Sequence, residues 1–179
     1  MKLAQDKAQQ FFSLYIPLLW YTYMNYYDDN TQDFYSTHIE TKIKVRNILC
    51  GNSNIIDAAI KNVHGKFAQE GINIVQKWKN FKKGTFIVLK YLKKCSLFLE
   101  SSYDPKTYGV VGITDELSEI IPGAPRMVDA VLLEFDDRII CDGLFKMHNV
   151  YFGKGARQDF INSYKMSKSK YGIISESFI

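Results

Sequence analysis

The 179-residue chain is poor in the residues that mark specialised protein classes. Its three cysteines, Cys50, Cys95 and Cys141, are odd in number and form no Cys-x-x-Cys pair, which excludes a disulfide framework and a zinc ribbon. Four prolines and eleven glycines are too few for a collagen-like or low-complexity chain. The net charge of +4 is too small to indicate a nucleic-acid partner by itself. These absences predict a folded protein in a reducing, cytoplasmic environment.

Long hydrophobic runs are also missing. The first ten residues are too polar for the apolar region of a signal peptide. Residues 11–27 are the only candidate for a membrane segment, but they include Pro17 and Asn25 and fall short of the roughly 18–20 apolar residues that a span requires. We therefore expect no membrane span, and we interpret this segment as a helix that is buried or faces a partner.

Aromatic side chains are in excess, with 12 tyrosines, 12 phenylalanines and two tryptophans. In the N-terminal part, apolar residues recur at spacings of three and four, the pattern of amphipathic helices. The predicted helices cover residues 3–27, 36–49, 52–63 and 68–81. For the second of these, the alternation of residues 39–45 also permits a strand. The third is predicted to end at His64-Gly65.

After Gly84 the pattern changes to short β-branched and aromatic segments that indicate strands. The predicted strands cover residues 85–91, 95–100, 108–114, 127–135, 138–145 and 149–152. Tight turns are expected at Lys93-Lys94 and Asp136-Asp137. Asp115 is the expected cap of a short helix at 116–121, and a final helix is predicted at about 157–170.

Helices followed by strands predict an α+β fold rather than a parallel α/β fold. We expect N-terminal helices (residues 1–82) packed on an antiparallel β-meander or small barrel (residues 84–153). A C-terminal helix and tail (residues 154–179) would close the structure into one compact unit.

Charge is unevenly distributed along the chain. Residues 59–100 contain nine basic and two acidic side chains, whereas residues 101–146 contain four basic and nine acidic ones. Seven lysines of the first segment are here called the basic block: Lys77, Lys79, Lys82, Lys83, Lys90, Lys93 and Lys94. With Trp78, Phe81 and Tyr91 between them, they can form a phosphate-tracking surface with stacking groups.

A second interpretation of the basic block is structural. Lysines protect strand edges from aggregation, and the acidic segment is a ready internal partner. We favour this interpretation because lysine without arginine reads bases poorly. Any nucleic-acid contact would then be made to the backbone.

Three carboxylates are candidates for a metal-dependent hydrolase or nuclease site. Asp129, Glu134 and Asp142 lie on or between neighbouring predicted strands, where paired carboxylates can hold Mg²⁺. However, strand alternation places Asp129 and Glu134 on opposite faces, and no lysine follows Glu134 at the second position. Asp142-Gly143 is better explained as a bulge or turn, and we expect no metal or cofactor.

Histidines and cysteines show no metal-ligand spacing, so the cysteines are interpreted as small core residues. The segment Gly153-Lys154-Gly155-Ala156-Arg157 joins a predicted strand to a helix start and can form an anion seat. It lacks the third glycine of a dinucleotide fingerprint and the Gly-Lys-Ser/Thr ending of a P-loop, which favours a plain connection.

Several segments resemble patterns shared by a group of bacterial proteins whose activity is not established. Residues 76–84, 91–94 and 97–99 resemble Trp-Lys-x-Phe-x-x-Gly, Leu-Lys-Lys and Phe-Leu. The segments 108–115, 131–135, 139–144 and 152–155 are similar to Tyr-Gly-Val-x-Gly-Leu-Thr-Asp, Leu-Leu-Pro-Phe, Ile-Ile-Tyr-Asp-Gly-Leu and Phe-Gly-x-Gly. The resemblance covers most of residues 40–175 and departs at Glu134, where the pattern has proline, and at Cys141, where it has tyrosine. It implies a bacterial protein and a shared fold, and it carries over no catalytic residues.

The predicted function is a non-catalytic binding or regulatory module rather than an enzyme. Lys90–Lys94 and the helix start at 153–157 would contact an acidic partner, either an acidic protein or nucleic-acid backbone. The alternatives are the hydrolase or nuclease at Asp129, Glu134 and Asp142, and a structural subunit that forms an oligomer or complex through the helix at 3–27.

Overall fold

The computed structural model describes residues 1–63 and 67–178, so the predicted helix stop at His64-Gly65 lies outside the described residues. The chain divides into two compact units. The first, called the helical unit, is Asp6–Phe81, and the second, called the strand unit, consists of Met1–Gln5 and the chain from Lys82 onward. Within the described residues, no helix has both the length and the apolar character needed to cross a membrane.

The helical unit contains the four helices that the spacing of apolar residues predicts. They are α1 (Gln5–Tyr26), α2 (Ile39–Gly51), α3 (Asn54–Asn62) and α4 (Gln69–Lys77), with short 3-10 helices at Phe34–Ser36 and Trp78–Asn80. Residues 39–45 belong to α2, so the alternative interpretation of this segment as a strand is wrong. The helical spacing therefore predominates over the local alternation.

The core of the helical unit forms where α1 meets the end of α4. The Trp78 ring is 2% exposed and lies 5.3 Å from the Phe11 ring and 5.6 Å from the Tyr15 ring. Gly71 of α4 is buried against Leu14, whose Cδ2 atom would lie 2.7 Å from a Cβ at this position. The apolar stripe of α1 is thus buried inside this unit, with Met24 and Tyr26 exposed at its C-terminal end. Oligomer formation through α1 stays a prediction.

The described part of the strand unit contains six strands and two helices. They are β1 (Lys82–Tyr91), β2 (Ser96–Glu100), β3 (Thr107–Val111), α5 (Leu117–Ile120), β4 (Arg126–Phe135), β5 (Arg138–Cys141), β6 (Lys146–Met147) and α6 (Lys154–Tyr171). The predicted strand at residues 149–152 is wrong. The segment that pairs with β4 is β6. It pairs with Val128 and Asp129, which lie beyond the part of β4 that pairs with β5.

Five of these strands form a closed ring of pairings. β1, β2 and β3 pair antiparallel in sequence order, and β4 pairs antiparallel with both β5 and β1. β3 pairs with β5 in parallel, which completes the ring β1-β2-β3-β5-β4. The predicted α+β class, with N-terminal helices, a mostly antiparallel sheet and a C-terminal helix, is confirmed.

Alternate residues of the strands point into the ring and form its core. Phe86, Phe98 and Tyr108 are each about 1% exposed or less, and their rings lie about 6 Å apart. Leu117 and Ile121, from α5 and the residue after it, belong to the same core. Burial of this apolar surface provides the main driving force for folding of the strand unit.

Three local features of the strand unit were predicted from the sequence: a tight turn, a glycine that relieves the backbone, and a helix cap. The first two are confirmed. Asp136 and Asp137 have φ angles of 53° and 51°, which confirms the tight turn between β4 and β5. Gly143 has a φ angle of +81° and relieves the backbone after β5, as predicted. The predicted cap Asp115 is wrong, since Glu116 caps α5 through a capping box with Glu119.

Candidate functional site

The hairpin between β1 and β2 displays three lysines of the basic block, here called the hairpin lysines. Lys90 follows a register shift in β1, and Lys93 and Lys94 form the turn that the sequence predicts. The backbone N–H of Leu92 donates to the carbonyl of Cys95 at 2.8 Å and closes this turn. All three lysine side chains are exposed. The hairpin therefore presents three positive charges to solvent on a fixed backbone.

The expected pairing of the basic block with the acidic segment is not found in the described part of the chain. There, none of the hairpin lysines forms an ion pair. Lys79 does form one, but its partner at 2.6 Å is Asp57 of the helical unit, outside residues 101–146. β1 pairs with β4 over residues 82–88 and with β2 over residues 86–91, so Lys82, Lys83 and Lys90 each have a paired strand on one side only. Protection of a strand edge therefore stays a prediction.

Two of the three aromatic residues of the basic block, Trp78 and Tyr91, pack in the cores and are not available for stacking. Trp78 is buried against Phe11 and Tyr15 of the helical unit. Tyr91 packs against the core inside the ring of strands, and its hydroxyl donates to the Ile121 carbonyl. Burial raises the pKa of Tyr91, which keeps this hydroxyl protonated as a donor. The stacking part of the predicted phosphate-tracking surface is thus wrong for Trp78 and Tyr91.

Arg126 adds a cation at the base of the hairpin that the sequence analysis did not identify. It lies opposite Val88 in the pairing of β1 with β4. Its guanidinium donates to the Pro122 carbonyl at 3.4 Å and is close enough to Tyr91 to oppose the rise in the pKa of that hydroxyl. No local motif links Arg126 to the hairpin lysines, because the two segments are brought together only by strand pairing.

The other lysines of the basic block are spread over both units. Lys77 is exposed in the last turn of α4, in the helical unit. Lys82 begins β1, and its Nζ lies 5.9 Å from the centre of the Phe178 ring. Lys83 is exposed opposite Val131 of β4. The basic block is therefore not one continuous site within either unit.

Each candidate catalytic carboxylate contacts a different structural partner. The Thr85 hydroxyl donates to Asp129 Oδ1 at 2.7 Å, and the Phe178 N–H donates to Glu134 Oε1 at 2.6 Å. Asp142 is buried and accepts the Leu144 N–H at 3.0 Å. Among the described residues, no group of three or more histidine, cysteine or carboxylate side chains is placed to hold a metal ion. The structure therefore gives the metal-dependent alternative no assembled site there.

Asp129 forms a charged cluster with the end of β6. Its Oδ2 lies 2.9 Å from His148 Nε2, and Lys146 is its register partner. Burial opposes ionisation of this carboxyl, but the Thr85 hydroxyl, His148 and Lys146 together hold its pKa below the ordinary value. The cluster ties β6 to β4.

Replacement of Asp129 by asparagine is expected to reduce stability more at neutral pH than at pH 2. Because the folded-state pKa of Asp129 is lowered, its carboxylate stabilises the fold above about pH 4, and this contribution is lost as the pH falls through the folded-state pKa. The expected loss at pH 7 is under about 1 kcal/mol, since the Asp129 side chain is 42% exposed. Urea unfolding at both pH values measures it.

Asp159→Asn provides the control for this measurement, because it removes an exposed carboxylate from α6. It should leave stability unchanged at both pH values. An equal loss for Asp129→Asn at pH 2 and pH 7 would show that the side-chain shape, and not its charge, stabilises β6.

The predicted anion seat at residues 153–157 is the first turn of α6. Gly153 caps the helix without a side-chain hydrogen bond, and the Arg157 Nε donates to the Phe152 carbonyl at 3.0 Å. Lys154 and Gly155 are exposed. The helix starts at Lys154, three residues before the predicted start, since glycine at the cap and in the first turn is compatible with helix geometry.

Comparison with protein-family models, with curated proteins and with solved structures finds no match for this chain. The resemblance of residues 40–175 to a group of bacterial proteins stays a prediction. Function must therefore be inferred from the chemistry of the surface, in which the exposed hairpin lysines are the most distinctive feature.

Proposed function

We propose that the protein is a non-catalytic binding module that contacts nucleic-acid backbone through the hairpin lysines. The observation that carries the proposal is the exposure of three lysines on one hairpin without a carboxylate partner among the described residues. Lysine ammonium groups bind phosphates as point charges and release counterions from nucleic acids. Such contacts carry no base specificity, so the expected ligand is nucleic acid of any sequence.

The strand order supports this proposal by analogy. A five-stranded Greek-key ring with a helix between strands 3 and 4 resembles the barrels that bind oligonucleotides, which use the loop between strands 1 and 2. In this chain that loop is the turn with Lys93 and Lys94. Strand order alone does not determine function, so the charge of the loop remains the main argument.

The outer face of β2 and β3 is not available for base stacking. A Cβ at Gly109 would lie 3.2 Å from Ser175 and 3.3 Å from Ile173, so the chain after α6 covers this face. The Thr107 hydroxyl likewise donates to Ser167 of α6 at 2.9 Å. Binding would therefore depend mainly on the hairpin charges and be strongly sensitive to salt.

Replacement of Lys90, Lys93 and Lys94 together by glutamine is expected to weaken binding of a random 20-mer single strand by at least about tenfold at low salt. The slope of log affinity against log salt should fall by about 2, since each lost phosphate contact contributes about 0.7 for single strands. Fluorescence anisotropy at four salt concentrations measures both quantities.

A matched control removes the same charge elsewhere. Glutamine at Lys44, Lys61 and Lys165, all exposed, should leave the salt slope nearly unchanged. Absence of binding by the wild type at low salt, or equal effects of the two triple variants, would contradict the proposal. Tighter binding of polyglutamate than of the oligonucleotide would show an acidic protein to be the better ligand.

A further inference from the structure

The segment after α6, called the tail (residues 173–178), is inserted into the ring between β3 and β5. The Gly109 N–H donates to the Ile174 carbonyl at 2.8 Å, and the Ile174 N–H donates to the Thr107 carbonyl at 3.0 Å. On the other side, the Ile139 N–H donates to the Ser175 carbonyl at 3.0 Å. The tail thus hydrogen-bonds to both strands of the pair.

Direct pairing of β3 with β5 is short. It joins Val110 to Ile139 and Val111 to Ile140, and it leaves the first half of β3 without a direct partner in β5. The tail fills this opening and runs parallel to β3 at Tyr108. The ring therefore contains a slot that the protein closes with its own chain.

Phe178 anchors the end of the tail. Its ring packs against the core and meets the Tyr108 ring edge-on at 5.8 Å. Its backbone N–H donates to Glu134 at 2.6 Å, and the ammonium of Lys82 lies 5.9 Å from its ring centre. The aromatic ring of Phe178 and its hydrogen bond to a carboxylate therefore hold the last described residue of the tail in place.

Side chains of the tail pack closely against β3 at Gly109. At Gly109, a Cβ would lie 3.2 Å from Ser175 and 3.3 Å from Ile173, closer than ordinary side-chain contacts. The absence of a side chain at Gly109 therefore gives the tail its room. Recognition of this kind rests on main-chain hydrogen bonds and one anchor pocket, as in strand addition to a sheet edge.

The tail is held less firmly than the strands beside it. All five residues of β3 are buried, whereas Ile173, Ile174 and Ser175 are only half-buried. A cavity of about 420 Å³ lies beside the tail, lined by Lys106 and Tyr171. Gly172, with a φ angle of +74°, joins the tail to α6. Segments with few buried contacts open at low free-energy cost.

We propose that the slot between β3 and β5 is a strand-acceptor site, and that it binds the tail of a second copy of the chain when its own tail is released. The second tail offers the same hydrogen bonds and the same Phe178 anchor, so the contacts that are lost when one tail leaves are regained when the other binds. α6 can accompany the tail, because Ser167 is its only buried residue among those described. The product is a strand-exchanged dimer, and this inference does not depend on nucleic-acid binding.

A labelled synthetic peptide of residues 172–178 tests the slot in the full-length chain. In the wild type the slot is filled, so peptide binding should be weak. Phe178→Ala removes the anchor of the resident tail, and we expect this variant to bind the peptide at least about tenfold more tightly. A peptide with the same Phe178→Ala change should not bind, because it lacks the anchor.

A second pair of variants separates release of the tail from occupation of the slot. Gly109→Ala combined with Cys95→Ala places a methyl group against the tail and relieves the 3.1 Å contact that this methyl would make with Cys95 Sγ. This double variant should release the tail and bind no peptide. Cys95→Ala alone should behave as the wild type.

Hydrogen exchange shows whether the fold and the tail behave as proposed. The amides of Gly109 and Ile139 should exchange faster in Phe178→Ala, while those of β1 stay protected. If the amides of β1 also exchange quickly in Phe178→Ala, the fold itself is disturbed. Glu134→Gln is then used instead of Phe178→Ala as a milder variant that releases the tail. The proposal is overturned if these two amides stay protected in both variants, or if they exchange quickly and the peptide does not bind.

Discussion

Replacing Trp78 with alanine is expected to lower the free energy of unfolding by about 3–5 kcal/mol. The side chain is 2% exposed and packs between the rings of Phe11 and Tyr15, 5.3 Å and 5.6 Å away. Removal of the indole leaves a cavity where α1 meets the end of α4, and rigid rings close such a cavity poorly. Guanidinium unfolding followed by circular dichroism measures the loss.

Tyr35→Ala is the matched control for Trp78→Ala, because this aromatic side chain of the helical unit is 60% exposed. It should change stability by no more than about 0.5 kcal/mol. The same pair separates a core role from a ligand role. Under conditions where both variants remain folded, neither should weaken oligonucleotide binding. If Trp78→Ala lost oligonucleotide binding while its stability was unchanged, Trp78 would have to contact the oligonucleotide, and its assignment to the core would be wrong.

Replacing Gly112 with alanine is expected to destabilise the protein by about 3 kcal/mol. A Cβ at this position would clash with the backbone carbonyl of Asp115, which cannot rotate away as a side chain can. The carbonyl of Gly112 accepts the Leu3 N–H at 3.0 Å, and its own N–H donates to the Met1 carbonyl at 3.2 Å. The backbone is therefore held on both sides, and any shift disturbs the approach to α5.

Gly155→Ala is the control for Gly112→Ala. Gly155 lies in the first turn of α6, and no atom lies within 4 Å of a Cβ built there. Its replacement should leave stability unchanged or raise it by up to about 1 kcal/mol, since alanine favours the helix. Thermal unfolding of both variants measures the difference. Equal melting temperatures would show that the loop after β3 can adjust to the added methyl group.

Much of the local structure could be predicted because it depends on neighbouring residues. Spacings of three and four predicted α1 to α4, and the two aspartates at 136–137 predicted a tight turn that the structure shows. Lys93 and Lys94 were also predicted at a turn, since short strands flank them on both sides. Errors at this level were the strand predicted at 149–152, which the structure does not show, and small shifts such as the earlier start of α6 and the cap at Glu116.

The partners of charged residues could not be predicted in this way. The sequence favoured pairing between the basic block and the acidic segment, but Lys79 pairs with Asp57, far away along the chain. Trp78 and Tyr91 lie among lysines in the sequence, yet their side chains serve the cores. Charge counts and neighbours in the sequence do not reveal side-chain direction, which is set by the register of strands and the packing of helices.

The sequence by itself determined the types of the elements, the change from helices to strands near residue 82, and the position of the hairpin lysines. These features follow from local periodicity and turn chemistry, which act over a few residues. Only the tertiary structure decided that β5 lies between β3 and β4, that Arg126 reaches the base of the hairpin, and that the tail closes the ring. Each of these arrangements joins residues that are distant in sequence. Their pairing depends on burying one shared core, and no local pattern records it.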